Sequence, residues 1–309
     1  SRNLISNTYN SIIYMCIYTY VKHCDFSMYE NEYKNMARML LFTLFITLLA
    51  YSILPKVGIK VITVAKTFFI FTFPLFFYSM EGNRNGSIAS LILLILSGKR
   101  SIFLSIILLL IIIIIFQRGV RFRYKMVLLL TVIVMSSLIL YFSLTPNNVE
   151  KLPHALRPVF YKTMLINPFS KYSNISNDAR VLEIRNSLNP ILENKFFLIT
   201  GRGPGYTYEY YNKEGFKVMD NRHNTHFSPV SIYTKYGLVY SLLLFRLYYK
   251  TIKKKIYILS ERDASIIEKS MLLYLIASLI NSLTEFTIYT DYFAIISLAT
   301  LSSSNKIKQ

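Results

Sequence analysis

Three short polar stretches stand out in this 309-residue chain, because each sets cations or imidazoles at an interruption of apolar sequence. The first is Ser97-Gly98-Lys99-Arg100-Ser101, a small-residue break carrying two cations. Gly98 frees the backbone, Ser101 can cap the helix that follows, and that helix's N-terminus adds partial positive charge, so the break suits an anion such as a phosphate. Arg100 is the stronger candidate and Lys99 the weaker. The plainer account is a short loop whose Lys99 and Arg100 snorkel to headgroups. The second stretch is Gly201-Arg202-Gly203-Pro204-Gly205, followed by Tyr206, Tyr208, Tyr210 and Tyr211. It lacks the terminal Gly-Lys-Ser/Thr of a nucleotide-binding loop. Alternate glycines, Gly203 and Gly205 among them, can present successive amides to an anion, with Arg202 adding a full charge. A plain turn competes on equal terms. The tyrosines suit stacking on sugar rings or an interfacial aromatic belt. The third stretch is Arg222-His223-Asn224-Thr225-His226, at the mouth of an apolar run beginning near Phe227. Imidazole is the side chain best matched to proton transfer near neutral pH, and His226 ranks ahead of His223. Asn224 sits between them as a positioning group. A metal pair is the weaker reading at this i, i+3 spacing, with no Cys ligand near the two histidines.

Further cations are Arg180 and, less strongly, Arg185, in the segment Asn177-Asp178-Ala179-Arg180-Val181-Leu182-Glu183. Asp178 and Glu183 read as their partners on a solvated face. Glu285 and Asp291 flank a turn late in the chain and read as hydrated turn carboxylates, with orientation of an arginine or a sugar hydroxyl as the alternative.

The elements that must position these groups are those of a membrane protein. Hydrophobic residues make up 53% of the chain and charged ones 17%, a shortage of charge that coincides with long apolar runs. Cys16 and Cys24 are the only cysteines, which excludes a disulfide scaffold and leaves no redox or zinc motif. The 35 Lys and Arg against 16 Asp and Glu give a net charge of +19. In a soluble protein that would point to nucleic acid, but loops that stay on the cytoplasmic side collect the same excess, so no nucleic-acid partner is expected. Apolar runs fall near 8–20, 39–54, 58–79, 86–97, 101–116, 126–144, 227–248, 270–284 and 289–302. The expected fold is therefore an all-α polytopic membrane protein with about 8–10 transmembrane helices. The run 86–97 is short enough to be re-entrant.

The basic loops around Arg118–Lys125 and Lys250–Lys255 set the orientation, placing both inside and residues 145–226 outside. That gives N-terminal helices over 1–144, an ordered extracytoplasmic cap over 145–226 and C-terminal helices over 227–309. The cap holds six of the nine prolines. Within it a helix is expected from Asn177 or Asp178 through Leu188, with Val181, Ile184 and Leu188 as its packed face and Pro190 as its stop. The chain opens on Ser1 without a signal-peptide pattern, so an N-terminal truncation is expected. No internal repeat is visible. Charges inside the runs are scarce, Lys66 being the main case, which argues against the paired, internally charged halves of a flippase or transporter.

In the order of these features the chain resembles the O-antigen polymerase (Wzy) and O-antigen ligase group of glycan-assembly enzymes. The likeness runs over residues 86–290: SGKRS at 97–101 between two helices, a long outer loop with Arg180 in DAR, the GRGPG turn, then His226 eleven residues before Gly237 in Tyr-Gly. In that family the His position is often His-Asn, which here is His223-Asn224. The resemblance implies a metal-independent, inverting glycosyltransferase without a cofactor, multi-pass in the bacterial inner membrane. Its donor would be an oligosaccharide on undecaprenyl diphosphate and its acceptor another lipid-linked repeat unit, with a ligase using the core sugar of lipopolysaccharide as the alternative. It also implies His226 as base, Arg100, Arg180 and Arg202 on the diphosphate, and a chain-length regulator as a further protein partner.

Overall fold

The computed structural model describes residues 2–24, 29–53, 69–97, 171–261, 264–283 and 290–303, together with positions 102, 105–107, 126, 129–130, 133, 137, 285 and 288. The described part is mostly helical, as the composition implies. Its helices are α1 (Arg2–His23), α2 (Glu30–Ile53), α3 (Phe73–Glu81) after a 3-10 turn at Phe69–Thr72, α4 (Arg84–Leu96), α5 (Lys171–Leu192), α6 (Lys195–Thr200), α7 (Ser228–Lys255), α8 (Ile266–Ser282) and α9 (Tyr292–Ser303). Two strands, β1 (Tyr208–Tyr211) and β2 (Lys217–Arg222), form an antiparallel hairpin.

Among the described residues one helix, α2 over Glu30–Ala50, is long and apolar enough to cross a membrane. Phe69–Glu81, Arg84–Leu96 and Tyr292–Ser303 are apolar but shorter. The runs 101–116 and 126–144, strongest by sequence, lie almost wholly outside the described residues, as do Lys66 and the prolines from Pro146 to Pro168.

Two compact units emerge. One comprises Ser27–Asn174 and Tyr257–Ala277. Its core is aromatic: Phe73, Phe76, Phe77 and Tyr274 are at most 1% exposed. Tyr274 meets Phe69, Phe73 and Phe76 at ring-centroid separations of 5.5–6.5 Å, tilted or edge-on as ring quadrupoles prefer. Gly82 ends α3 in the left-handed region at φ 79°, and the Asn83 side chain caps α4 by accepting from the Gly86 amide.

The other unit comprises Ser1–Phe26, Ile175–Ile256 and Ser278–Gln309. Here α1 packs on α9, and α7 on both α6 and α9. Hydroxyls tie the helices: Tyr14 to Tyr248 at 2.7 Å and Ser11 to Tyr236 at 2.9 Å. Asp291 is buried rather than hydrated, accepting from the Ser278 hydroxyl at 2.6 Å and capping α9 through the Ala294 amide.

Two local expectations change. Helix α5 runs from Lys171 to Leu192, enclosing Asn177, Asp178 and Pro190. A proline removes only the one bond its own amide would donate, so in the last turn it does not stop the helix; the Glu193 amide still reaches the Asn189 carbonyl. The packed face also differs. Val181 is 63% exposed, whereas Glu183, Ser187 and Ile191, spaced four apart, are at most 3% exposed. A polar line can be buried where it finds partners, and hydrophobic periodicity cannot register it.

Candidate active site

The site is built on α5, the hairpin and the start of α7. Ile191, Tyr206 and Tyr208 form a small buried core with Phe197, Leu198 and Tyr233 around it. The Tyr206 hydroxyl donates to the Ser187 carbonyl at 2.9 Å, fixing the chain after the glycine-rich turn against α5. The hairpin pairs Tyr208 with Arg222 and Tyr210 with Met219, with irregular register between them. Asn221 there has φ 53° and breaks the alternation, the device by which a bulge re-aims the next side chain. Arg222 accordingly reaches α5, its Nη1 lying 2.5 Å from Glu183 Oε1, while its guanidinium covers the Tyr210 ring at 5.0 Å.

Glu183 is the hub. Its second oxygen stands 2.7 Å from His226 Nδ1 and also accepts the His226 backbone amide at 3.2 Å. Burial pushes the Glu183 carboxyl up, but the His226 hydrogen bonds and the charges of His226 and Arg222 outweigh it and hold its pKa below the ordinary value. An ionised Glu183 accepts only, so Nδ1 must carry the proton, and Nε2 of a neutral ring is left as an acceptor. The His226 side chain is half exposed. It opens on a cleft of about 380 Å³ lined by Ala179, Arg180, Glu183, Tyr210, Val218, Met219, Arg222 and His226. A positioned imidazole, two guanidiniums and an aromatic edge thus share one cavity.

His223 differs from His226 at every point. Both of its ring nitrogens are shielded from solvent, with the Tyr206 backbone as the nearby hydrogen-bonding group. Burial and the nearby Lys235 charge hold its pKa below the ordinary imidazole value. The residue as a whole is half-buried, with its ring nitrogens turned from solvent.

The glycine-rich turn has a specific task. The Arg202 amide donates to the Thr234 carbonyl at 2.9 Å and the Gly203 amide to the Lys235 carbonyl at 2.8 Å. Those two amides are taken by α7, so an anion nest built on them is not what the turn forms. Gly201 (φ 69°, ψ −180°) and Gly237 (φ 76°, ψ −179°) both lie in a region open to glycine almost alone. Gly237 breaks α7, where the sequence predicts one continuous run. A Cβ on Gly237 would sit 2.0 Å from the Ile199 carbonyl oxygen, and one on Gly201 2.5 Å from the Gly237 nitrogen. The two backbones touch because neither residue has a side chain. Arg202 lies over Phe197 and Tyr206 at 4.9 and 5.6 Å, outside the cleft lining. Gly203 and Gly205 are also outside it.

Of the residues singled out by sequence, the cleft gathers Arg180 and His226; Asn224 supports the loop from behind, accepting from Lys235 Nζ and from the Ser231 hydroxyl at 3.2 Å. Arg185 is exposed, and Lys99 and Arg100 lie outside the described residues. Sequence reasoning put Glu183 on a solvated face as a partner of Arg180 or Arg185 and missed its burial against His226 and Arg222. It also missed Lys235, a charge inside an apolar run.

The model of the family described as O-antigen ligase matches residues 86–245, just over half of the chain and every element of this site. No curated protein and no solved structure gives a significant match. Members of that family are membrane proteins and glycosyltransferase-like enzymes that act on lipid-linked sugars in O-antigen assembly. With the Arg-bearing helix, the Gly-rich turn and the His before Tyr-Gly all inside the matched region, the chain belongs to the O-antigen ligase family.

Proposed function

We propose that this chain is an O-antigen repeat-unit polymerase of the bacterial inner membrane, multi-pass, with residues 145–226 on the outer face. The observation that carries the chemistry is the buried Glu183 holding His226 Nδ1 while the rest of the ring faces the cleft with Arg180. His226 Nε2 takes the proton of an acceptor sugar hydroxyl, and the freed oxygen attacks the anomeric carbon of the donor. The bond from that carbon to the diphosphate oxygen breaks with its electron pair, inverting the centre and releasing undecaprenyl diphosphate. Arg180 meets the growing negative charge on the leaving group, with Arg100 as the second cation, whereas Arg202 stacks on Phe197 and Tyr206 outside the cleft. In this reading the guanidiniums take the part a divalent ion plays elsewhere, so the transfer needs no metal or cofactor. His226 is preferred over His223 because ring nitrogens turned from solvent cannot reach a substrate proton.

A second reading, transfer to the core sugar of lipopolysaccharide, is favoured by the family's own description as ligase. Both readings share the site and differ only in acceptor. A deletion strain complemented with wild type, His226→Ala or Arg180→Ala separates them on a glycan gel, with membrane levels matched. The polymerase reading expects a full ladder from wild type and a single repeat unit on the core from both variants. Core sugar bearing no repeat unit in the deletion strain would favour the ligase, and ladders persisting in both variants would remove the site assignment. A chain-length regulator would show as a shift of modal ladder length on its deletion.

A further inference from the structure

Lys235 is 1% exposed, next to the break at Gly237 and eleven residues after Asn224. Its Nζ donates to Asn224 Oδ1, and its backbone carbonyl accepts the Gly203 amide at 2.8 Å. One residue therefore ties the histidine loop and the glycine-rich turn to the broken helix. An ammonium only donates, so it fixes which end of the Asn224 amide faces it; the Ser231 hydroxyl, 3.2 Å away, shares the same oxygen. The Asn224 carbonyl in turn accepts from the Tyr208 hydroxyl at 3.4 Å. Two residues on, His226 is gripped by Glu183 at both its ring and its amide. The loop is thus held at two points: a buried anion holds His226 itself, and a buried cation holds the side chain of Asn224 two residues before it.

We infer that Lys235 is a positioning residue for the transfer reaction, acting through Asn224 to hold His226 in register with Glu183. The inference rests on the glycosyltransferase reading above. A base displaced by a fraction of an ångström from its near-attack position loses turnover while substrate affinity stays, because the binding groups Arg180 and Tyr210 lie on other elements. The distinguishing signature is therefore a fall in kcat with KM preserved.

The test uses the full chain in detergent or nanodiscs, with an undecaprenyl-diphosphate repeat unit as donor and acceptor. Lys235→Met keeps length and removes the charge; kcat is expected to fall about 10–100-fold, the usual effect of losing a supporting partner of a reacting group, with KM within about threefold. Truncating one partner of a buried pair leaves the other stranded, whereas removing both does not, so Lys235→Met/Asn224→Ala is the variant that keeps the fold. Because Lys235 acts through Asn224, the double variant should be no slower than the worse single variant. Full kcat in the double variant overturns the inference. So does a multiplicative loss in the double variant, or a loss seen mainly in KM, since either would put Lys235 on the substrate rather than on the loop. A wild-type chain that transfers nothing overturns the glycosyltransferase reading and this inference with it, whereas active wild type with equally active variants overturns this inference alone.

Discussion

The two units of this chain are held together by opposite means. In the unit containing α3, Phe73, Phe76, Phe77 and Tyr274 fill space with rings, among small buried hydroxyls such as Thr72 and Ser79. In the unit containing the site, burial is spent on Glu183, Ser187, Thr225 and Lys235, and on two glycines whose backbones touch. Ring packing tolerates substitution gradually, whereas a buried polar network fails when one partner goes. Glu183, a carboxylate kept out of water at a desolvation cost, lines the cleft.

The contrast breaks hardest at the glycines. Gly237→Ala combines a backbone conformation costing about 1–3 kcal/mol with a backbone clash costing about 1–3 more. It should abolish transfer and expose the Gly201 turn to proteolysis; a variant that accumulates and works normally would show that the two backbones do not meet. Phe76→Ala should lower stability by about 3–5 kcal/mol by the standard of soluble cores, seen as a reduced Tm, yet leave turnover per folded molecule within about threefold. If turnover instead falls with the fold intact, the aromatic unit takes part in the chemistry and the division is wrong.

Glu183→Ala strands Arg222 and unlocks His226. Its stability cost should be about 3 kcal/mol, the low end for breaking a buried pair because His226 is half exposed. Hydrogen exchange of the 222–226 loop should rise, and unaltered exchange would remove Glu183 as the hub. The pH dependence sharpens the same point. Glu183 has a folded pKa below its ordinary 4.5, so its contribution is complete above that value and is lost as pH falls through the folded pKa. The half-buried His223 has a folded pKa below 6.5, so the unfolded chain binds its proton first and stability is lost as pH falls below about 6.5. Thermal scans of His223→Gln against wild type should converge above pH 7 and diverge as pH falls below about 6.5; identical slopes would mean His223 is open to water. The smallest effect belongs to the exposed Lys213–Asp178 pair at the hairpin tip, where Lys213→Ala should cost no more than about 1 kcal/mol in Tm-derived stability.

Two residues of the candidate cleft were legible by type and spacing. His226 and Arg180 share the cleft, and the eleven-residue interval from His226 to Gly237 acquires a physical meaning: it sets the loop and the helix break at the distance Lys235 spans. What could not be read was burial of polar residues. Val181, Ile184 and Leu188 follow the apolar period of a packed face, yet α5 buries the line through Glu183 and Ser187, and the partners that hold Glu183 come from residues some forty positions later. The glycine-rich turn misled for a related reason. Its composition fits an anion cradle and a helix-docking loop equally, and only the carbonyls of Thr234 and Lys235 decide between them.

The most direct measurement is turnover of an undecaprenyl-diphosphate repeat unit by purified His226→Ala and His223→Ala, side by side with wild type. The account predicts that His226→Ala loses about two to four orders of magnitude in kcat, the range for removing a general base, while His223→Ala stays within about tenfold. Equal losses, or a larger loss from His223→Ala, would contradict it, since the ring whose nitrogens are turned from solvent would then be the one that moves the proton.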